Sequence, residues 1–202
     1  MARTLAPDYD DRRQHIVDHA ARLFAAEGFH KASMSGIARA CDTSKSALYH
    51  YFPSKEDILY AVMHDHTELL LGIADEAIGR GGAPAEQLLA VTRSLMQVYA
   101  TAQARHVVLL NELGSLPEEA RRTIVDMQNR ILDRIQSVLE AIEPGLKKKT
   151  KLRRPVAMIF MGMINWTYTW FDADGPVSPD AFAELVVAIL LNGLPGSTSS
   201  GR

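Results

Sequence analysis

The sequence predicts an all-α chain, with a three-helix N-terminal unit containing a helix-turn-helix and a larger helical body behind it. Three observations carry this expectation. Apolar residues recur at i, i+3, i+4 and i+7 along most of the chain, while strand-like alternation is nearly absent. Glycine and proline fall between the periodic segments, where they punctuate helices. At 202 residues, 47% of them hydrophobic, the chain can bury one large core, or a small unit joined to a larger one.

The first helix places Ile16, Ala20, Leu23 and Phe24 on one stripe and stops at Glu27-Gly28-Phe29, where glycine ends a helix easily. Ser33 is a natural N-cap for a short second helix, with Met34, Ile37, Ala38 and Cys41 inward. A break around Asp42-Thr43-Ser44 leads to a third helix, which Leu48 and Phe52 anchor. Pro53-Ser54-Lys55-Glu56-Asp57 then caps a long helix that turns Ile58, Val62, His66, Leu69 and Ile73 inward and fades at Gly79–Gly82.

Further helices are expected from about Pro84 to Ala104, His106 to Leu113, and Pro117 to Pro144-Gly145. The basic run Lys147–Arg154 reads as a solvated inter-helix loop. A very apolar helix follows, ending at Asp172-Ala173-Asp174-Gly175, and the last runs from Ser178 to about Asn192. The tail from Pro195 has no apolar residue to bury and reads as disordered. These readings divide the chain at 10–55, 56–194 and 195–202, and no internal repeat is visible.

Several function classes are disfavoured. Net charge is −2, so any nucleic-acid contact must use a local basic surface. The single cysteine, Cys41, excludes an internal disulfide framework and fits a reducing compartment. Met1 to Tyr9 lack the apolar core of a signal peptide. The longest apolar stretch, Val156 to Phe171, is interrupted by Asn165, Thr167 and Thr169 and is shorter than the roughly 20 residues a membrane span needs. A cytoplasmic protein with no membrane partner is expected.

No phosphate-binding glycine loop, Gly-x-Ser-x-Gly elbow or apolar carboxylate pair appears, so neither an enzyme nor a cofactor is expected. His15 and His19 share a helix face but have no third partner at useful spacing. His64 and His66 diverge, and no metal site is assigned.

The informative block is Phe29 to Lys55. On its third helix, Leu48 and Phe52 point toward Ile37, Ala38 and Phe24, which leaves Lys45, Ser46, Tyr49 and His50 on the outer face. A recognition helix needs that division, because its first residues approach base edges while longer donors reach phosphates. Lys31, Arg39, Lys45 and Lys55 against Asp42 give the block a charge of +3, which favours phosphate contact through counterion release. From spacing and charge alone, a DNA-binding motif and an ordinary pair of packed helices both remain open.

The stretches Ile16–Phe29, Ser33–Ala38 and Ser44–Lys55 resemble the DNA-binding domain of TetR-family regulators, over roughly a quarter of the chain. The resemblance implies that the helix carrying Lys45 to Tyr51 enters the major groove. It also implies phosphate contacts by Tyr49 and Lys55, with Ser33, Ser35, Thr43, Ser44, Lys45, Ser46, Ala47 and His50 along the DNA. Asp42 stands where the family usually has glycine. Aspartate tolerates a left-handed backbone better than most residues, although its charge faces the duplex. Arg3, Arg12 and Arg13 could add an N-terminal arm, but Asp8, Asp10 and Asp11 nearly cancel them.

The same resemblance implies a ligand-binding and dimerisation body, with the last two helices forming a homodimer interface. The penultimate helix is apolar on nearly every face, so one side must meet a partner subunit or ligand. Asn165, Trp166, Trp170, Met161 and Met158 are the candidate ligand contacts. The segment Gly162 to Gly175 is similar to relatives that govern fatty-acid, aromatic or sterol catabolism, which implies an acyl-CoA effector. The lysine-rich run Lys147–Arg154 would then meet its phosphates. A palindromic operator is the implied DNA partner. The competing readings are a regulator of neutral hydrophobic ligand and a helical interaction protein that binds no DNA.

Overall fold

The computed structural model describes residues 8–199, with side chains over 9–193. Arg3 and residues 200–202 of the expected tail lie outside the described residues. Ten α-helices run in chain order: α1 (Asp8–Glu27), α2 (Met34–Ala40), α3 (Lys45–Tyr51), α4 (Lys55–Gly79), α5 (Pro84–Thr101), α6 (Gln103–Asn111), α7 (Glu118–Ile142), α8 (Gly145–Lys148), α9 (Thr150–Asn165) and α10 (Pro179–Ser199). Short 3-10 turns cover Leu113–Ser115 and Trp166–Thr169. Among the described residues there is no strand, as the spacing predicts.

The chain forms two compact units. The first holds α1 to α3, α4 as far as Thr67, and Ala104–Ile124. Its core is built from Val17, Phe24, Ile37, Leu48, Ile58, Leu59, Val62 and Met63, each essentially inaccessible. Polar clamps cross this core at its margins. Arg13 reaches Asp65 at 3.1 Å, Arg105 binds Asp18 at 2.5 and 3.0 Å, and the Phe29 N–H donates to Glu112 Oε1 at 3.1 Å.

His66 of α4 and His106 of α6 lie in the same unit, fully buried, with Nε2 of one 3.3 Å from Nδ1 of the other. Burial, with the nearby Arg105 cation adding, pushes His66 down to about 4. Burial, with His66 adding, pushes His106 down to about 3.

The second unit holds Glu68–Gln103 and the chain from Val125 onward. There α10 packs along α5, joined at the rim by Gln97–Asp180 at 3.1 Å and by an Arg93–Glu184 ion pair. Leu88, Leu95, Met96, Ile135, Phe160 and Ile164 fill the core.

Several expected details are corrected. Leu69 is 45% exposed, whereas Leu70 and Leu71 are buried, because the buried stripe of α4 drifts by one residue over its length. The basic run is helical rather than a loop, with α8 taking Lys147 and Lys148 and α9 starting at Thr150. Tertiary pairing stabilises it there: Arg153 binds Glu140, and Arg154 reaches Asp133 at 2.7 Å and Asn129 at 2.5 Å. The Arg153 bond holds the Glu140 carboxyl below the usual range.

The α9 helix also ends early, at Asn165. Thr167 and Thr169 turn their hydroxyls onto the carbonyls of Ile164 and Trp166, at 2.6 and 2.8 Å, and tighten the chain into a 3-10 turn. At the other end of the unit, α10 continues to Ser199, past the point where the tail was expected to begin.

Candidate nucleic-acid interface and ligand cavity

Two short helices need help to hold their shape, since a seven-residue helix is marginal alone. Here the serines at their entrances act as caps. Ser33 Oγ accepts from the Gly36 N–H at 3.1 Å, and Ser44 Oγ accepts from the Ala47 N–H at 3.0 Å. Between the helices, Asp42 adopts φ 51°, the left-handed conformation that its place in the turn implied. The turn closes through Thr43 N–H to the Ala38 carbonyl at 2.9 Å.

Leu48 is inaccessible and Phe52 nearly so, which settles the rotation of α3 about its axis. Ser35, Lys45, Ser46, Tyr49 and His50 are consequently exposed, while Thr43 and Ala47 are half-buried. The Lys45 ammonium lies 5.9 Å from the centre of the Tyr49 ring, so the two present one cationic-aromatic surface. The nine nominated residues other than Lys55 are therefore exposed or half-buried, with Ser33 and Ser44 also working as caps.

Lys55 is different. Its ammonium donates to the carbonyls of Phe29 and Ala32, at 2.7 and 2.9 Å, and sits 4.1 Å from the Phe29 ring centre. These bonds turn it inward, away from the phosphate role first assigned to it. Lys55→Met should therefore lower stability by about 1–3 kcal/mol, the cost of orphaning buried carbonyls. Its salt dependence of DNA binding should match the parent's. A slope reduced by about one, with stability unchanged, would restore the phosphate contact.

Tertiary structure adds Tyr9 and His15 to this surface, which the sequence reading did not place there. A groove of about 500 Å3 beside α3 is lined by Tyr9, Arg12, His15, Thr43, Ala47 and His50. Tyr9 stacks on Tyr51 with centroids 4.8 Å apart, fixing the start of α1 against α3. Arg39, exposed on α2, borders a second depression with Ser35 and Lys45. Arg39 is also one of the cations counted in the local charge of this block. Spacing joins α1 to α3 through Phe24, but nothing in it pairs Tyr9 with Tyr51. His15 and His19 stack edge to face at 4.3 Å, and no group of three metal-ligating side chains occurs among the described residues.

In the second unit, the nominated ligand residues are not gathered around one cavity. Met158, Trp166 and Trp170 are 53%, 63% and 58% exposed, and Met161 is buried in the core. Asn165 instead accepts a hydrogen bond from the Tyr99 hydroxyl at 2.9 Å. The reason for the miss is rotational: α9 buries Ala157, Phe160, Met161 and Ile164, leaving Met158 and Ile159 outward. Leu185 and Ile189 of α10 are likewise more than half exposed. A cavity of about 180 Å3 does exist, lined by α5, the start of α6 and the segment after α9, including Tyr99, Gln103, Thr167, Phe171, Asp172 and Asp174. No helix among the described residues is long and apolar enough to cross a membrane.

A family model described as "Tetracyclin repressor-like, C-terminal domain" matches residues 81–194, and one described as "Bacterial regulatory proteins, tetR family" matches residues 16–62. The chain belongs to the TetR family. This makes it a TetR-type transcriptional regulator with a DNA-binding helix-turn-helix, in a family of regulators and not of enzymes.

A crystal structure of a TetR-family transcriptional regulator from Bordetella parapertussis is 38% identical, covers 91% of this chain and 96% of its own, and superposes with a TM-score of 0.87. The structure of AibR in complex with isovaleryl coenzyme A and operator DNA is 26% identical, covers 89% and 98%, and has a TM-score of 0.77. The HTH-type transcriptional repressor KstR2 of Mycolicibacterium smegmatis is 22% identical over 96% of this chain and 97% of its own.

Proposed function

We propose that this TetR regulator is a repressor that binds a palindromic operator as a homodimer and leaves it when an acyl-CoA occupies the helical body. The observation that carries the DNA half is α3 itself, a doubly anchored helix that offers Lys45, Tyr49 and His50 to solvent. Two such helices, roughly 34–36 Å or a multiple apart, would fit successive major-groove faces. The exposed apolar sides of α9 and α10, with Met158, Ile159, Leu185 and Ile189, support a second copy as the partner.

The AibR complex supports an acyl-CoA as effector. Lys147, Lys148 and Lys151 remain exposed and could meet its phosphates, whereas Arg153 and Arg154 are already engaged with Glu140, Asp133 and Asn129. Release of DNA is a population shift. The effector must bind the DNA-incompetent arrangement more tightly, because equal affinity for both would move nothing. A cytoplasmic site of action follows from this reading.

The triple variant Lys45→Ala, Tyr49→Ala, His50→Ala should lose all measurable binding to the DNA upstream of its own coding region, with thermal stability unchanged because all three are exposed. Parent-like affinity in a mobility-shift titration would remove the assigned face. For the effector, acyl-CoAs, free fatty acids and neutral aromatics should be scored by DNA release. A response to the neutral compounds alone would replace acyl-CoA by a neutral hydrophobic ligand.

A further inference from the structure

The cavity of about 180 Å3 in the second unit has a hydrogen-bonding character that its composition alone does not reveal. Several of the donors in its wall are committed to the protein. The Tyr99 hydroxyl gives its proton to Asn165 Oδ1 at 2.9 Å, and burial, which pushes that phenol above its ordinary range, keeps the proton in place. The Thr167 hydroxyl donates to the Ile164 carbonyl at 2.6 Å, and Gln103 Nε2 donates to the Tyr168 carbonyl at 3.3 Å.

Backbone donors are committed too. The Phe171 N–H goes to Thr167 O at 2.8 Å, and the Asp174 N–H goes to Asp172 Oδ1 at 3.0 Å. What the lining adds to these committed donors is the exposed carboxylates of Asp172 and Asp174. Among the described residues that line the cavity, none is cationic. Tyr99, Tyr168 and Phe171 supply aromatic surface around it.

Acceptor oxygens, two negative charges and aromatic rings are complementary to one class of small molecule. We infer that this cavity is a binding site for a small organic ammonium ion with an aromatic or short alkyl body. An ammonium head is attracted both by the carboxylates and by the ring faces. Coenzyme A phosphates would meet Asp172 and Asp174 at like charge. The inference therefore goes beyond the proposed effector and does not rest on it.

The site also carries its own reporter. The chain has two tryptophans, and each touches a lining ring: Trp166 lies 6.0 Å from Tyr168 and Trp170 lies 5.8 Å from Phe171, centre to centre. The test is a fluorescence titration of the full-length protein with three probes of one body and different charge: phenethylammonium, 2-phenylethanol and 3-phenylpropionate. The ammonium should bind about tenfold or more tightly than the other two.

In the double variant Asp172→Asn, Asp174→Asn the three probes should converge, with far-UV circular dichroism unchanged because both side chains are exposed. Equal binding of all three probes by the parent, no binding of the ammonium, a response to calcium chloride alone, or ammonium binding that survives in the double variant would each overturn the inference. Operator binding, measured on the same samples, is a separate readout. Its loss would count against the DNA-binding proposal and leave this one standing.

Discussion

Lowering the pH from 6.5 to 5 should strip the N-terminal unit of on the order of a few kcal/mol of stability, in a range where carboxylates stay largely ionised. The cause is the buried pair His66 and His106, pushed down to about 4 and about 3 in the folded protein. Unfolded imidazoles take up protons near 6.5. Above that value both states hold the pair neutral, and the stability is fully present. As pH falls toward 4, the unfolded chain binds protons that the folded chain refuses, so the balance shifts to unfolding.

Urea denaturation at half-unit pH intervals should show the midpoint falling, with close to two protons taken up per molecule unfolded near pH 5. A flat midpoint over that interval would refute the burial argument. The double variant His66→Gln, His106→Gln, if it folds, should be flatter. If it does not fold, the proton count on the parent still decides the matter.

Leu48→Ala should cost about 2–5 kcal/mol and abolish DNA binding, although no atom of Leu48 reaches solvent. The Lys45–Tyr51 helix has only two turns, too few to persist on backbone bonds alone. Leu48 and Phe52, packed beneath it in a core that includes Ile37, are what keep Lys45, Tyr49 and His50 facing outward. Thermal unfolding and a DNA titration on the same variant test this together. Parent-like melting with parent-like affinity would show that the helix is held by something else. The contrast with the triple surface variant, which should lose binding without losing stability, separates the anchor from the contacts.

Legibility along this chain follows how local the deciding physics is. Ser33 and Asp42 were read correctly because a cap and a left-handed turn are settled by a few adjacent residues. The outward set on α3 was also legible, since Leu48 and Phe52 lie four apart and identify the buried side of a short helix. Lys55 misled because a lysine with solvent on its sequence neighbours can still reach carbonyls 23 and 26 residues away. Trp166 and Trp170 misled for a related reason. In a segment apolar all round, no stripe tells which side faces the protein's own core, and the turn created by Thr167 and Thr169 rotates the chain between them.

By itself, then, the amino-acid order determined the helical class, the helix-turn-helix, and which side of α3 faces outward, because caps, turns and the 3.6-residue period act over a few residues. The folded structure alone decided where the lysine ammonium goes, which face of α9 is buried, and that a cavity lined by Asp172 and Asp174 lies beside Tyr99. Those outcomes depend on groups far apart in the chain competing for the same donors and the same dry volume, and no local pattern records who wins.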